Sequence, residues 1–145
     1  AGLSPLIKFA DHLGIRWHVI CDGDDAGLKY KKRAQSLLRE RAEARHITVL
    51  SHRDIEHFLW DKGFADTYRS AAAPRGVMNA YYIAALAQQA ELSDEETINR
   101  ALRYHSKPGM ALEIAESAEL MGINAIPAEL QAMFQILQSL SDETT

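Results

Sequence analysis

Two short β-rich runs interrupt a chain whose other apolar residues mostly fall at helical spacing. The first, Trp17-His18-Val19-Ile20-Cys21, reads as a buried strand and ends abruptly in Asp22-Gly23-Asp24-Asp25-Ala26-Gly27. The second, His46-Ile47-Thr48-Val49-Leu50, runs into Ser51-His52-Arg53-Asp54-Ile55-Glu56 and then a helix carrying Phe58 and Leu59. Between the strands a helix is expected to reach about residue 44, with Tyr30, Ala34, Leu37 and Leu38 on one apolar face. Strand, helix and strand in this order make a βαβ unit with parallel strands. An opening helix over residues 5–13 has Ser4 as its cap, Pro5 in its first position and Gly14 at its stop.

After Ala71-Ala72-Ala73-Pro74-Arg75-Gly76 only helical pattern remains. Helices are expected over residues 77–90, from the capping box at Ser93-Asp94-Glu95-Glu96 to about Tyr104, from Pro108 to near Gly122, and from Pro127 to Leu140. The expected fold is therefore α/β: a parallel sheet core over residues 1–73, with an all-helical region over 74–145 packed on it.

Composition agrees with a globular chain. The 145 residues are 47% hydrophobic and 25% charged, enough for a core and too apolar for disorder. No apolar run approaches the ~20 residues of a membrane helix, and no signal-peptide pattern opens the chain. A cytoplasmic protein with no membrane partner is expected. The single cysteine, Cys21, excludes an internal disulfide and a cysteine-built zinc site. None of the six histidines makes a ligand-spaced pair. The chain begins at Ala1 without an initiator methionine, as expected of a piece of something longer.

The formal net charge is −4, but it is unevenly spread. Residues 28–45 hold seven basic side chains against Glu40 and Glu43, whereas residues 108–145 hold six acids and no base. Such a basic block is either a solvated helix face or an electrostatic footprint for a phosphate backbone.

Both strands end in carboxylates: Asp22, Asp24 and Asp25 after the first, Asp54 and Glu56 after the second. Parallel sheets gather ligands at the carboxyl ends of their strands. Several carboxylates brought together repel unless protons or a cation compensate them. Oxygen-only donors select hard divalent ions, Mg2+ or Mn2+, which keep some coordination positions for water and substrate phosphate. The alternative is structural: Asp24 or Asp25 caps the helix, Gly23 and Gly27 permit a tight turn, and Ser51-x-x-Asp54 is a capping box. Those roles leave Asp22 and Glu56 unexplained. Lys107, in Ser106-Lys107-Pro108-Gly109, is the last basic residue. It stands at a helix start, where the dipole favours anions, and reads either as a phosphate ligand or as an exposed loop lysine.

The Asp-x-Asp loop after a hydrophobic strand resembles that of Toprim domains. The segment Leu50-Ser51-His52-Arg53-Asp54-Ile55-Glu56-His57-Phe58-Leu59 and the later Ser106-Lys107-Pro108 look like the Toprim motifs of the OLD (overcoming lysogenization defect) nucleases. The resemblance spans residues 1 to about 130 and implies a two-metal DNA endonuclease. It implies Asp22, Asp24, Asp54 and Glu56 as ligands of two Mg2+ or Mn2+ ions or of their water, with Ser51 assisting. Lys107 would contact the scissile phosphate, and Lys29, Lys32, Arg33 and Arg53 would flank the DNA.

Two departures from that family stand out. The glutamate-bearing strand of Toprim domains is missing before the first helix. The amino-terminal ATPase of OLD proteins, which binds ATP and offers a route to homodimers, has no phosphate loop here. Weak or absent cleavage by this chain alone is expected. The competing readings are a docking or dimerisation module and a haloacid-dehalogenase-like phosphohydrolase with Asp22 as nucleophile. In the latter family Thr or Val usually stands where this chain has Ala26.

Overall fold

The computed structural model describes residues 2–74, 76 and 78–142. Its elements run α1 (Leu3–His12), β1 (Val19–Cys21), α2 (Asp25–Gln35), β2 (Ile47–Val49), α3 (Ile55–Leu59), α4 (Ala65–Ala71), α5 (Ala80–Ala90), α6 (Asp94–Met121) and α7 (Ala128–Asp142). Short 3-10 turns at Glu43–Arg45 and Ile123–Ala125 and a π turn at Trp60–Phe64 link them. Position 77, where the sequence pattern begins the fifth helix, lies outside the described residues.

The expected sheet core is corrected by this architecture. The chain is about 70% helical, and among the described residues its sheet has two strands, β1 and β2, of three residues each. They are parallel, as the βαβ pattern requires, with Val19 opposite Ile47 and Cys21 opposite Val49. A Toprim-like parallel sheet is not what this chain forms. Both strands begin later than their β-rich runs: Trp17, before β1, packs as a buried side chain with its indole N–H donating to Asp11, and His46, before β2, closes the Glu43–Arg45 turn with φ −128° and ψ −14°.

The chain divides into two units: residues through Phe58 joined by those from Pro127 onward, and Leu59–Ile126. This division does not follow the expected boundary at 73/74. The first unit's core gathers Ile7, Trp17, Ala34, Leu38 and Ile47 from α1, α2, β2 and adjoining segments. The second unit is helical. Phe64, Tyr68, Ala71 and Ala72 line one face of the α4 region at helical spacing, against Ile98, Ala101, Met110 and Ile114 of α6.

The first helix starts at Leu3 with Gly2 at its N-cap, so Ser4 lies inside it and is not the cap expected. Two further helix ends differ from expectation for local reasons. α2 stops at Gln35 and not near 44: Ser36 Oγ donates to the Arg33 carbonyl, and the Arg41 guanidinium takes up the carbonyls of Leu37 and Leu38. The basic block of residues 29–45 is therefore not one helix; Arg39, Arg41 and Arg45 lie outside α2. α6 breaks at Ser106, whose φ of 61° and ψ of 167° are not helical. Helical backbone resumes at Lys107, and Gly109 N–H donates to Ser106 Oγ at 3.4 Å. The capping box at Ser93 and Glu96 forms as read.

Candidate functional site

The first unit brings the two acidic loops together through its backbone. β1 and β2 are neighbours, so the segments leaving their carboxyl ends start side by side. Leu50 N–H donates to the Cys21 carbonyl at 2.9 Å, and Gly23 N–H donates to the His52 carbonyl at 2.8 Å. The contact is tight enough to specify glycine. A Cβ on Gly23 would stand 2.5 Å from the His52 carbonyl oxygen and 2.7 Å from that of Leu50. A Cβ on Gly27, in the first turn of α2, would run into the backbone of Asp22. Both glycines are fixed by close approach of backbone to backbone.

The acidic side chains then separate into roles. Asp24 is the N-cap of α2, its Oδ1 accepting from Gly27 N–H at 2.6 Å, and its side of the loop is exposed. Its second oxygen has no partner among the described residues. Asp22 is exposed beside it. Asp54 stands just before α3 and accepts from His57 N–H at 2.8 Å and from His57 Nδ1–H at 2.6 Å, while Arg53 Nε donates to its other oxygen at 3.2 Å. Burial pushes the Asp54 pKa up, but the backbone and ring hydrogen bonds from His57 outweigh it and leave the pKa lowered. Asp54 is thus a helix cap held by Arg53 of its loop and His57 of α3. Ser51 is exposed and shares a 3.0 Å hydrogen bond with His52 Nδ1, so the capping box read at Ser51 and Asp54 is replaced by Asp54 alone.

Glu56 is 6% exposed, which is unusual for a carboxylate, and no buried side-chain polar atom among the described residues lacks a hydrogen-bond partner. Among the described residues no group of three or more His, Cys, Asp or Glu side chains is gathered as if to hold a metal. Lys29, Lys32 and Arg33 are exposed on α2, and Arg53 is exposed on the second loop. Lys107 is exposed in the other unit, in the turn after Ser106.

A second polar cluster in the same unit escaped the sequence reading. Arg41 Nη1 and Nη2 donate to Asp11 Oδ1 and Oδ2 at 2.7 and 2.9 Å, a bidentate pair. The Trp17 indole N–H donates to the same carboxylate at 2.9 Å, and the Arg41 guanidinium lies 4.9 Å from the Trp17 ring centre. Hydrogen bonds from Arg41 and then Trp17 hold the Asp11 pKa down at about 2. His46 is buried against Trp17, ring centres 4.6 Å apart, and donates through Nδ1 to the Trp17 carbonyl at 2.8 Å. Burial lowers its pKa. One signal was available in the sequence: an acid in the last turn of α1, where the dipole favours cations, calls for a basic partner.

Comparison with known proteins adds one relative. No family model and no solved structure matches the chain. It is similar to a protein of Escherichia coli (strain K12) whose name is uncharacterized protein YbjD, with 38% identity over 137 residues. The match takes in 92% of this chain but 22% of that protein, so the chain spans about a fifth of its relative's length. Among the described residues no helix is long and apolar enough to cross a membrane.

Proposed function

We propose that the loops after β1 and β2 form the carboxylate part of a divalent-cation site for phosphodiester hydrolysis in DNA, working within a longer polypeptide. One observation carries this reading: Gly23 N–H to the His52 carbonyl, which ties the two acidic loops together at the carboxyl ends of adjacent parallel strands. The donor set fits the ion chemically. It consists of carboxylate oxygens, suited to Mg2+ or Mn2+, and these ions take one or two protein carboxylates beside water and phosphate, so a cage of three is not required. Asp22 and Asp24 would hold the cation, with Glu56, in the first turn of α3 after the second loop, as a further candidate. A bound cation supplies charge stabilisation to the phosphate and lowers the pKa of its water.

The chain's own residues do the rest. Asp24 uses one oxygen to fix the start of α2 and keeps the other for the ion. Asp54 holds the entry to α3 and so sets where Glu56 begins. Lys29, Lys32, Arg33 and Arg53 supply positive charge for the DNA backbone, an attraction that weakens as salt rises. The likeness of the Asp-x-Asp loop to that of the Toprim nucleases of OLD proteins supports the same chemistry. A partner ATPase region and a homodimer belong to this reading of the longer protein.

Calorimetric titration with MgCl2 and MnCl2 tests it. Saturable binding by the 145-residue chain, abolished in Asp22→Asn/Asp24→Asn at unchanged melting temperature, is expected. No saturable heat with either ion would contradict it. Plasmid nicking by this chain alone is expected to be weak or absent in MnCl2. A second reading, a docking module whose acids are caps, is favoured by the capping bonds of Asp24 and Asp54 and by α5, where no residue is buried.

A further inference from the structure

The first unit has a second concave site, at the opposite ends of its strands from the acidic loops. Arg16 and Trp17 lie shortly before β1, and Arg45 and His46 immediately before β2. Arg16, Arg45 and His46, with Asp11, Ile15, Arg41 and Leu140, line a cavity of about 370 Å³, within the size range of small-ligand sites; Trp17 stands behind this wall, bonded to Asp11. Strands of three residues separate the two ends by about 10 Å.

The lining is cationic and partly rigid. Three arginines face it, and Asp11 is the one carboxylate among its described lining residues. That carboxylate is already engaged on both oxygens by Arg41 and Trp17. Arg41 is held by Asp11, the Leu37 and Leu38 carbonyls and the Trp17 ring, which leaves one Nη1 N–H without a partner among the described residues. Besides burial, the neighbouring guanidinium charges of Arg41 and Arg45 push His46 toward its neutral form. The fork of Arg41 is thus spent on Asp11, and its remaining N–H is a single fixed donor for a phosphate oxygen, beside the guanidinium charges of Arg16 and Arg45. Ile15 and Leu140 add an apolar wall against which the organic part of a phosphate ester can lie.

We propose that this cavity, walled by Arg16, Arg41 and Arg45, is a binding site for a phosphate group, separate from the acidic loops. The phosphate is either the terminal group of a nucleotide or a diester of a nucleic-acid strand. It does not depend on the metal reading, because no residue of the acidic loops lines it.

Isothermal calorimetry on the 145-residue chain at low salt tests the site with three probes. They are inorganic phosphate, a nucleoside diphosphate, and a short single-stranded oligonucleotide without terminal phosphates. Saturable binding of at least one, weakened about tenfold or more in Arg16→Gln and in Arg45→Gln, is expected from the loss of a charged hydrogen bond. Preference for the diphosphate would identify a terminal phosphate as the ligand, and preference for the oligonucleotide a backbone diester. If Arg45→Gln lowers the melting temperature, Arg16→Gln, at an exposed position, decides alone. No saturation by any probe, or affinities unchanged in the folded variants, would overturn the proposal.

Discussion

Asp11 stands in the last turn of α1, where the helix dipole disfavours a carboxylate, and Arg41 and Trp17 reverse that preference. Because its pKa is lowered to about 2, its contribution to stability is complete above the ordinary carboxylate range and fades as pH falls from about 4 toward 2. That contribution is ~1–2 kcal/mol, and replacing Asp11 by Asn strands Arg41 at a cost of about 2 kcal/mol near neutral pH. Urea unfolding at pH 6 and pH 3 should show the wild-type midpoint falling further than that of Asp11→Asn. At Gly27 the prediction is steric. Ala there must displace the Asp22 backbone, costing about 1–3 kcal/mol, and should weaken Mn2+ binding, measured on the same sample by calorimetry. The Asp-Gly-Asp-Asp-Ala-Gly string was legible as a turn with carboxylates. The bidentate pair was not, since Asp11 and Arg41 are 30 residues apart and only the fold brings them together.

At the scale of elements, α6 holds the clearest test. Ser106 sits at φ 61° and ψ 167°, a region nearly confined to glycine that costs about 1–3 kcal/mol for other residues. Its hydroxyl returns part of this as a long cap to Gly109. Ser106→Gly should therefore raise stability by about 1 kcal/mol, while Ser106→Ala, which keeps the strain and loses the cap, should lower it by about 1 kcal/mol; thermal unfolding of both separates the two effects. The start of this second helical stretch was readable from Ser106-Lys107-Pro108. The end of α2 was not. Nothing in the spacing of Leu37 and Leu38 shows that Arg41 will fold back onto their carbonyls and stop the helix nine residues earlier than the apolar pattern suggests.

Across the whole molecule, the parallel pairing of two strands around a helix followed from the order of the apolar runs. The extent of the sheet did not, because a three-residue strand and the edge of a larger sheet look alike in sequence. The division into units was equally hidden, since residues from Pro127 onward join the first unit across the whole of Leu59–Ile126. Each unit has its own apolar core, so a core substitution should report on the unit that contains it. Tyr68 is 1% exposed, and Tyr68→Ala should cost about 3–5 kcal/mol, seen as faster amide exchange in α4 and α6.

The central claim, that the segments following β1 and β2 serve a single cation, is open to a spatial measurement. Substoichiometric Mn2+ added to 15N-labelled protein broadens amide signals close to the bound ion. Broadening of Gly23, Asp24, Ser51 and His52 together, absent in Asp22→Asn/Asp24→Asn, is the predicted result. Broadening restricted to one of the two segments, or found elsewhere in the chain, would contradict a shared site.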